Sequence, residues 1–261
     1  MQKGECKLCQ NAADLHDSHF MPSAMYKVLR DKKRKNPNPI VITNTKTGTT
    51  SKQVTDYVFC GECEQRFSKR EAHVMSLIGP AGRFPIRDKM ELLEPMRRYA
   101  EVDEYTGDSL GADTEKLGYF ALSIIWRASV HKWSDPFGQE SQHVDLGAAN
   151  ESIRDYLLDK AGFPPDTVVI VRVCTDKISR EAIVFPSRMD DSGRSFEMFT
   201  PGMHFQIVLG PSIEASIRSM CCVTSEKKVI FRRNCEKRLA QHYQSMEKTS
   251  VRSEAIKSEW P

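Results

Sequence analysis

The chain lacks the features that direct a protein into or across a membrane. No run reaches the roughly 18 apolar residues a spanning helix needs. The opening Met-Gln-Lys-Gly-Glu-Cys has no apolar core of the kind a signal peptide carries. Internal repeats are also missing, which excludes a solenoid or propeller. These absences predict a soluble cytoplasmic protein with no membrane partner, whose eight cysteines stay reduced. A hydrophobic content of 39% over 261 residues is enough to bury a core, so the chain is not a disordered one.

Charge is unevenly distributed. Residues 1–100 hold 18 Lys/Arg against 11 Asp/Glu, whereas residues 101–261 hold 20 against 24. A basic N-terminal unit joined to an acidic remainder suits an anionic partner, with nucleic acid the commonest. A solvated basic face gives the same composition.

Four of the cysteines form two pairs, Cys6-Lys-Leu-Cys9 and Cys60-Gly-Glu-Cys63. Each CxxC turn directs two thiolates at one point, and two such turns complete a tetrahedral zinc shell. Redox use fits less well, because a thioredoxin-type site uses one CxxC in a βαβ setting. Fifty residues separate the pairs, so a subdomain must be threaded between them. Cys174, Cys221, Cys222 and Cys235 show no ligand spacing and read as buried small residues.

Element signals place these motifs. Ala13 to Phe20 reads as an extended segment, and Pro22 opens a helix over Ser23 to Leu29. The run Arg30-Asp-Lys-Lys-Arg-Lys35 and the following Asn-Pro-Asn-Pro39 read as a loop. Ile40 to Thr43 and Val54 to Phe59 look like the arms of a hairpin. The second CxxC passes into a helix ending at Ile78, where Gly79-Pro80 stops it. Beyond a Gly/Pro-bearing connector, Gly79 to Pro95, an apolar helix over Glu115 to Trp133 and a shorter one over Asn150 to Lys160 come first. Strands are expected at Thr167–Cys174, Glu181–Phe185, Met203–Leu209, Ile217–Val223 and Lys228–Arg232, then a polar tail, Glu236 to Pro261, ending in a helix followed by a loose segment. Helices before strands predict an α+β fold. Two domains are expected, a zinc-binding module over 1–95 and a larger α+β domain over 96–261.

The first 80 residues resemble the HNH endonuclease superfamily, the ββα-metal nucleases. The likeness rests on Cys6–Cys9, then Ser18-His19-Phe-Met-Pro22, then Cys60–Cys63 followed at once by Glu64 and a helix. The resemblance implies a zinc-stabilised ββα-metal module that hydrolyses DNA phosphodiester bonds, with His19 as the general base. It also implies a structural zinc on Cys6, Cys9, Cys60 and Cys63, a catalytic Mg²⁺ or Mn²⁺, and a prokaryotic or phage setting. An imidazole with an ordinary pKa near 6.5 can take a proton from water at neutral pH. Ser18 stands where the family carries an Asp or His metal ligand, and Glu64 where it carries His or Asn. Glu64 suits a hard cation, and equally the positive end of a helix dipole. His16 reads as a structural or exposed histidine. Lys32, Lys33, Arg34, Lys35 and Lys69 are candidates for contacts to DNA phosphates, or solvated charges. Residues 96–261 would serve recognition, regulation, self-association or a protein partner. The rival readings are an inactive zinc module that binds nucleic acid and a protein-interaction scaffold.

Overall fold

A computed structural model describes residues 2–30, 36–140, 144–189, 193–247 and 250–252. The fold is mixed α+β, with three sheets among the described residues. Lys32, Lys33, Arg34 and Lys35 lie outside those residues. No described helix is long and apolar enough to cross a membrane.

The N-terminal part begins with β1 (Gln2–Glu5) and β2 (Ala12–His19), antiparallel around the first CxxC turn. That turn closes with Gln10 in the left-handed region (φ 62°) and its N–H donating to the Cys6 carbonyl at 2.8 Å. After α1 (Ser23–Val28) come β3 (Ile40–Ile42), β4 (Lys46–Thr49), β5 (Thr55–Cys60) and α2 (Gly61–Ile78). The expected hairpin is not formed. β3 pairs with β4, and β5 pairs with β2 to give the order β1–β2–β5. The threonine-rich stretch between the expected arms contains the strand β4, with Thr43 Oγ1 accepting the Lys46 N–H at 3.0 Å to close the bend before it. Val58 and Phe59 are thereby free to bury their side chains beside β2.

α3 (Pro85–Leu92), β6 (Arg97–Arg98), β7 (Val102–Thr106) and α4 (Gly107–Leu110) lead into α5 (Thr114–Val130). Asp113 caps α5, its carboxylate accepting the Lys116 N–H at 3.1 Å. Fourteen of the helix's residues are buried, so it is enclosed around its circumference. Then follow α6 (Ala149–Leu157), β8 (Thr167–Cys174), α7 (Lys177–Arg180), β9 (Val184–Arg188), β10 (Ser195–Thr200) and β11 (Met203–Leu209). α8 (Ala215–Arg218), β12 (Val229–Arg233), α9 (Glu236–Glu247) and β13 (Val251–Arg252) complete the described chain. The large sheet has the order β6–β7–β12–β8–β11–β10–β9. Ile217–Val223, expected as a strand, is instead the end of α8 and a turn. Buried Cys221 and Cys222 anchor that turn, and Cys222 N–H donates to the Val169 carbonyl at 2.9 Å. β13 pairs in parallel with β4, adding a C-terminal strand to the small β3–β4 sheet.

α5 lies between the large sheet and the N-terminal unit. Phe120 meets Phe205 of β11 at 5.4 Å between ring centroids, and Trp126 meets Phe59 of β5 at 6.1 Å. Packing does not break at residue 95: one hydrophobic cluster runs from Cys6 to Phe231. A smaller cluster, including Cys174, Phe199 and Leu239, seats α9 on the sheet's other face.

α2 and the start of α5 are joined by His73, whose Nε2 accepts the Asp113 N–H at 2.9 Å. Burial is the main influence on the ring and pushes its pKa below the usual value. The folded state therefore favours the neutral ring. Its contribution is complete above the unfolded pKa of about 6.5 and is lost as pH falls through the lower folded value. Denaturant unfolding followed across this range should show stability declining on acidification. His73→Gln, which cannot take up the proton, should decline less steeply; an identical acid slope would remove His73 from the account.

Candidate metal centre and the adjoining His19 edge

The two CxxC turns sit where chain direction changes. Cys6–Cys9 lies between β1 and β2, while Cys60 ends β5 and Cys63 lies in the first turn of α2. Their four sulfurs lie within 4.8 Å of one another, and Cys9 Sγ is 3.9 Å from Cys60 Sγ. A tetrahedral site with zinc–sulfur bonds near 2.3 Å has sulfurs about 3.8 Å apart, so the cluster could hold an ion such as zinc. The Cys60 N–H points at Cys6 Sγ at 3.4 Å, stabilising negative charge on that sulfur. The Cys6 thiol is drawn well below its ordinary pKa chiefly by the Cys63 thiol, which is itself raised. A divalent cation held here would displace the protons of the remaining thiols and be bound by four thiolates. Among the described residues, this is the one group of three or more His, Cys, Asp or Glu side chains placed to hold a metal.

The β2–β5 pair departs from regular register between His16 and Asp17. His16 faces Phe59 and Asp17 faces Tyr57, so Val58 is the extra residue of a bulge. Ser18 repairs it. Its side chain is 0% exposed; its Oγ accepts the Phe59 N–H at 3.1 Å and donates to the His16 carbonyl at 3.3 Å. A carboxylate there would be buried beside a carbonyl, which explains why a small hydroxyl occupies this position. His16 lies over Gly61 at the start of α2, where an added Cβ would come within 2.9 Å of the imidazole Nε2. The histidine therefore covers the second CxxC turn.

His19 ends β2, half-buried, opposite Thr55. Arg127 of α5, 2% exposed, fixes its main chain by donating from Nη1 to the His19 and Phe20 carbonyls, each at 3.1 Å. The same guanidinium pairs with Glu71 of α2 at 2.6 Å and lies over the Phe67 ring at 4.2 Å. The His19 imidazole itself makes no hydrogen bond among the described residues. Glu64, half-buried in the first turn of α2, likewise makes no hydrogen bond or ion pair among them. Lys69 is exposed on α2, whereas Arg70 is docked over Tyr119 at 4.4 Å and bonded to Asp159 at 2.8 Å.

One contact at this edge has no signature in the sequence. Asp56, cross-strand from Ser18, bonds His131 Nε2 at 2.8 Å, and its other oxygen accepts the Tyr57 N–H at 2.7 Å. His131 follows α5 and stands edge-on to Trp133 at 5.1 Å. The residues are 75 apart in sequence, so no local pattern marks them as partners. The pair adjoins the Ser18–His19 end of β2, giving that edge a second imidazole oriented by a carboxylate.

Compared with known proteins, the chain matches no family model, no curated protein and no solved structure. The likeness to the HNH superfamily rests on its motifs alone.

Metal content separates the roles of Ser18 and the cysteines. Native mass spectrometry should find one zinc per wild-type chain, and Cys63→Ser should lose it and melt at a lower temperature. Ser18→Ala should keep the zinc and cost about 1–3 kcal/mol, because it orphans the buried Phe59 N–H. Full zinc content in Cys63→Ser would show that the thiol cluster is not the metal site.

Proposed function

We propose that the chain is a metal-dependent endonuclease that hydrolyses DNA phosphodiester bonds at the His19 edge, with zinc on the four cysteines as a structural clamp. What carries the reading is His19 itself: a buried arginine holds its backbone while its imidazole makes no hydrogen bond among the described residues. The setting supports it, since β2 pairs with β5 and β5 runs directly into α2 at the thiol cluster. His19 takes the proton from the attacking water, and neutral imidazole is the right form for this near pH 7. Glu64, which makes no ion pair among the described residues, would hold Mg²⁺ or Mn²⁺, and that ion would supply positive charge to the scissile phosphate and leaving oxygen. The Asp56–His131 pair holds a second imidazole in one orientation, suited to binding phosphate or moving a proton. Lys69 and the Lys32–Lys35 run supply sequence-independent contacts to the backbone of DNA.

A second reading has its own support: among the described residues, no group of three or more potential ligands outside the four cysteines comes together. This favours a zinc module that binds nucleic acid without cutting it. Plasmid cleavage with Mg²⁺ and with Mn²⁺ decides between them. The wild type should nick the plasmid in a metal-dependent way, and His19→Ala should lower the rate by about 10²–10⁴-fold. Equal, metal-independent background from both proteins would leave only the binding module.

A further inference from the structure

A cleft of about 580 Å³ opens beside α9 on the large sheet, and its lining includes Arg172, Gln206, Arg233, Asn234, Lys237 and Arg238. It lies on the face away from α5. Val171 of β8 pairs with Phe205, whose ring meets Phe120 of α5, so strand alternation points the neighbouring cross-strand pair, Arg172 and His204, the opposite way.

Arg172 is the unusual feature. It projects from a central strand of the sheet, and its Nη2 donates to Gln206 Oε1 at 2.9 Å. Its Nη1 is buried and makes no hydrogen bond among the described residues. Burial is the main influence on the guanidinium and weakens its hold on the proton, as expected of a cation lacking a close counter-charge. The nearby carboxylates are already engaged. Glu197 holds Arg238 at 2.7 Å and His204 at 3.1 Å, and Glu101 pairs with Arg233 at 3.5 Å. Lys237, at the rim, makes no ion pair among the described residues. Burial pushes the His204 pKa below its usual value. Among the described residues, Arg172, Arg233, Lys237 and Arg238 therefore stand against Glu101 and Glu197. Asn234 Oδ1 accepts the Glu236 N–H at 2.9 Å at the start of α9, which leaves its amide N–H groups free to donate. The amino end of that helix adds its own positive potential.

We propose that this cleft binds a small phosphate-bearing molecule, a phosphate ester of up to nucleotide size, held by the Arg172 guanidinium and Lys237. Guanidinium groups match phosphate oxygens in geometry as well as charge. The volume falls within the range of small-molecule sites, and a cleft walled by a sheet and a helix does not admit a duplex. The inference stands apart from the hydrolytic reading, because the cleft is on the opposite face of the sheet from α5 and its test reads binding alone.

Calorimetric titration of the full chain with inorganic phosphate, pyrophosphate and adenosine monophosphate, at constant ionic strength, tests it. At least one of the three should bind saturably at one site per chain. Arg172→Gln should weaken that binding by about tenfold or more, the loss expected for one charge-assisted contact. Lys237→Glu, a change at an exposed position, should weaken it similarly and keeps the test decisive if the first variant folds poorly. No saturable binding by any of the three, or affinity unchanged in Lys237→Glu, would overturn the proposal. Binding of duplex DNA that depends on Lys237, without binding of small anions, would overturn it as well.

Discussion

Four sulfurs from two distant turns must meet within bonding distance of a single point, and much of the N-terminal architecture follows from that demand. Cys60 can reach Cys6 only if β5 lies along β2, so the intervening chain is forced outward as α1 and the β3–β4 pair. The same closure brings the first turn of α2 against the thiol cluster and puts Glu64 next to it in the chain. A cluster of converging thiolates is unfavourable without a cation, through mutual repulsion and desolvation. With one, folding of the whole unit becomes coupled to metal binding.

Arg127 extends that order into the rest of the molecule. Removing a guanidinium from water is costly, and here the cost is offset by two carbonyls, a carboxylate and an aromatic face. Those partners belong to β2, its continuation into Phe20, and α2, whereas the arginine belongs to α5. The result is a continuous core in which the large sheet supports the His19 edge through one helix. The same sheet presents Arg172 on its opposite face, so two dissimilar polar sites share one scaffold.

Features encoded locally were legible from sequence. The paired cysteines, the helix after the second pair, the apolar helix α5 and strands β8 and β11 all have short-range signatures, and their bounds agree with the structure to within a few residues. Cys174, Cys221, Cys222 and Cys235 are buried, as their spacing implied. Features set by long-range pairing were not legible. β5 alternates like a hairpin arm, yet its partner is decided by the thiol cluster and not by its nearest strand. Ile217 to Val223 is apolar enough for a strand, but buried cysteines in a turn give the same composition. β10, with Glu197 at its centre, gave too weak an apolar signal, because that carboxylate is buried only by virtue of His204 and Arg238. Ser18 was legible as a departure from the nuclease pattern. Its physical role, closing a bulge, needed the register. The Asp56–His131 contact needed the tertiary fold.

The claim on which the account rests is that Cys6, Cys9, Cys60 and Cys63 hold one metal ion that organises the β2–β5–α2 unit. X-ray absorption at the zinc edge, on protein purified without added metal, reads this most directly. The account predicts a shell of four sulfurs at about 2.3 Å. A shell of nitrogen and oxygen, or no zinc above background, would contradict it.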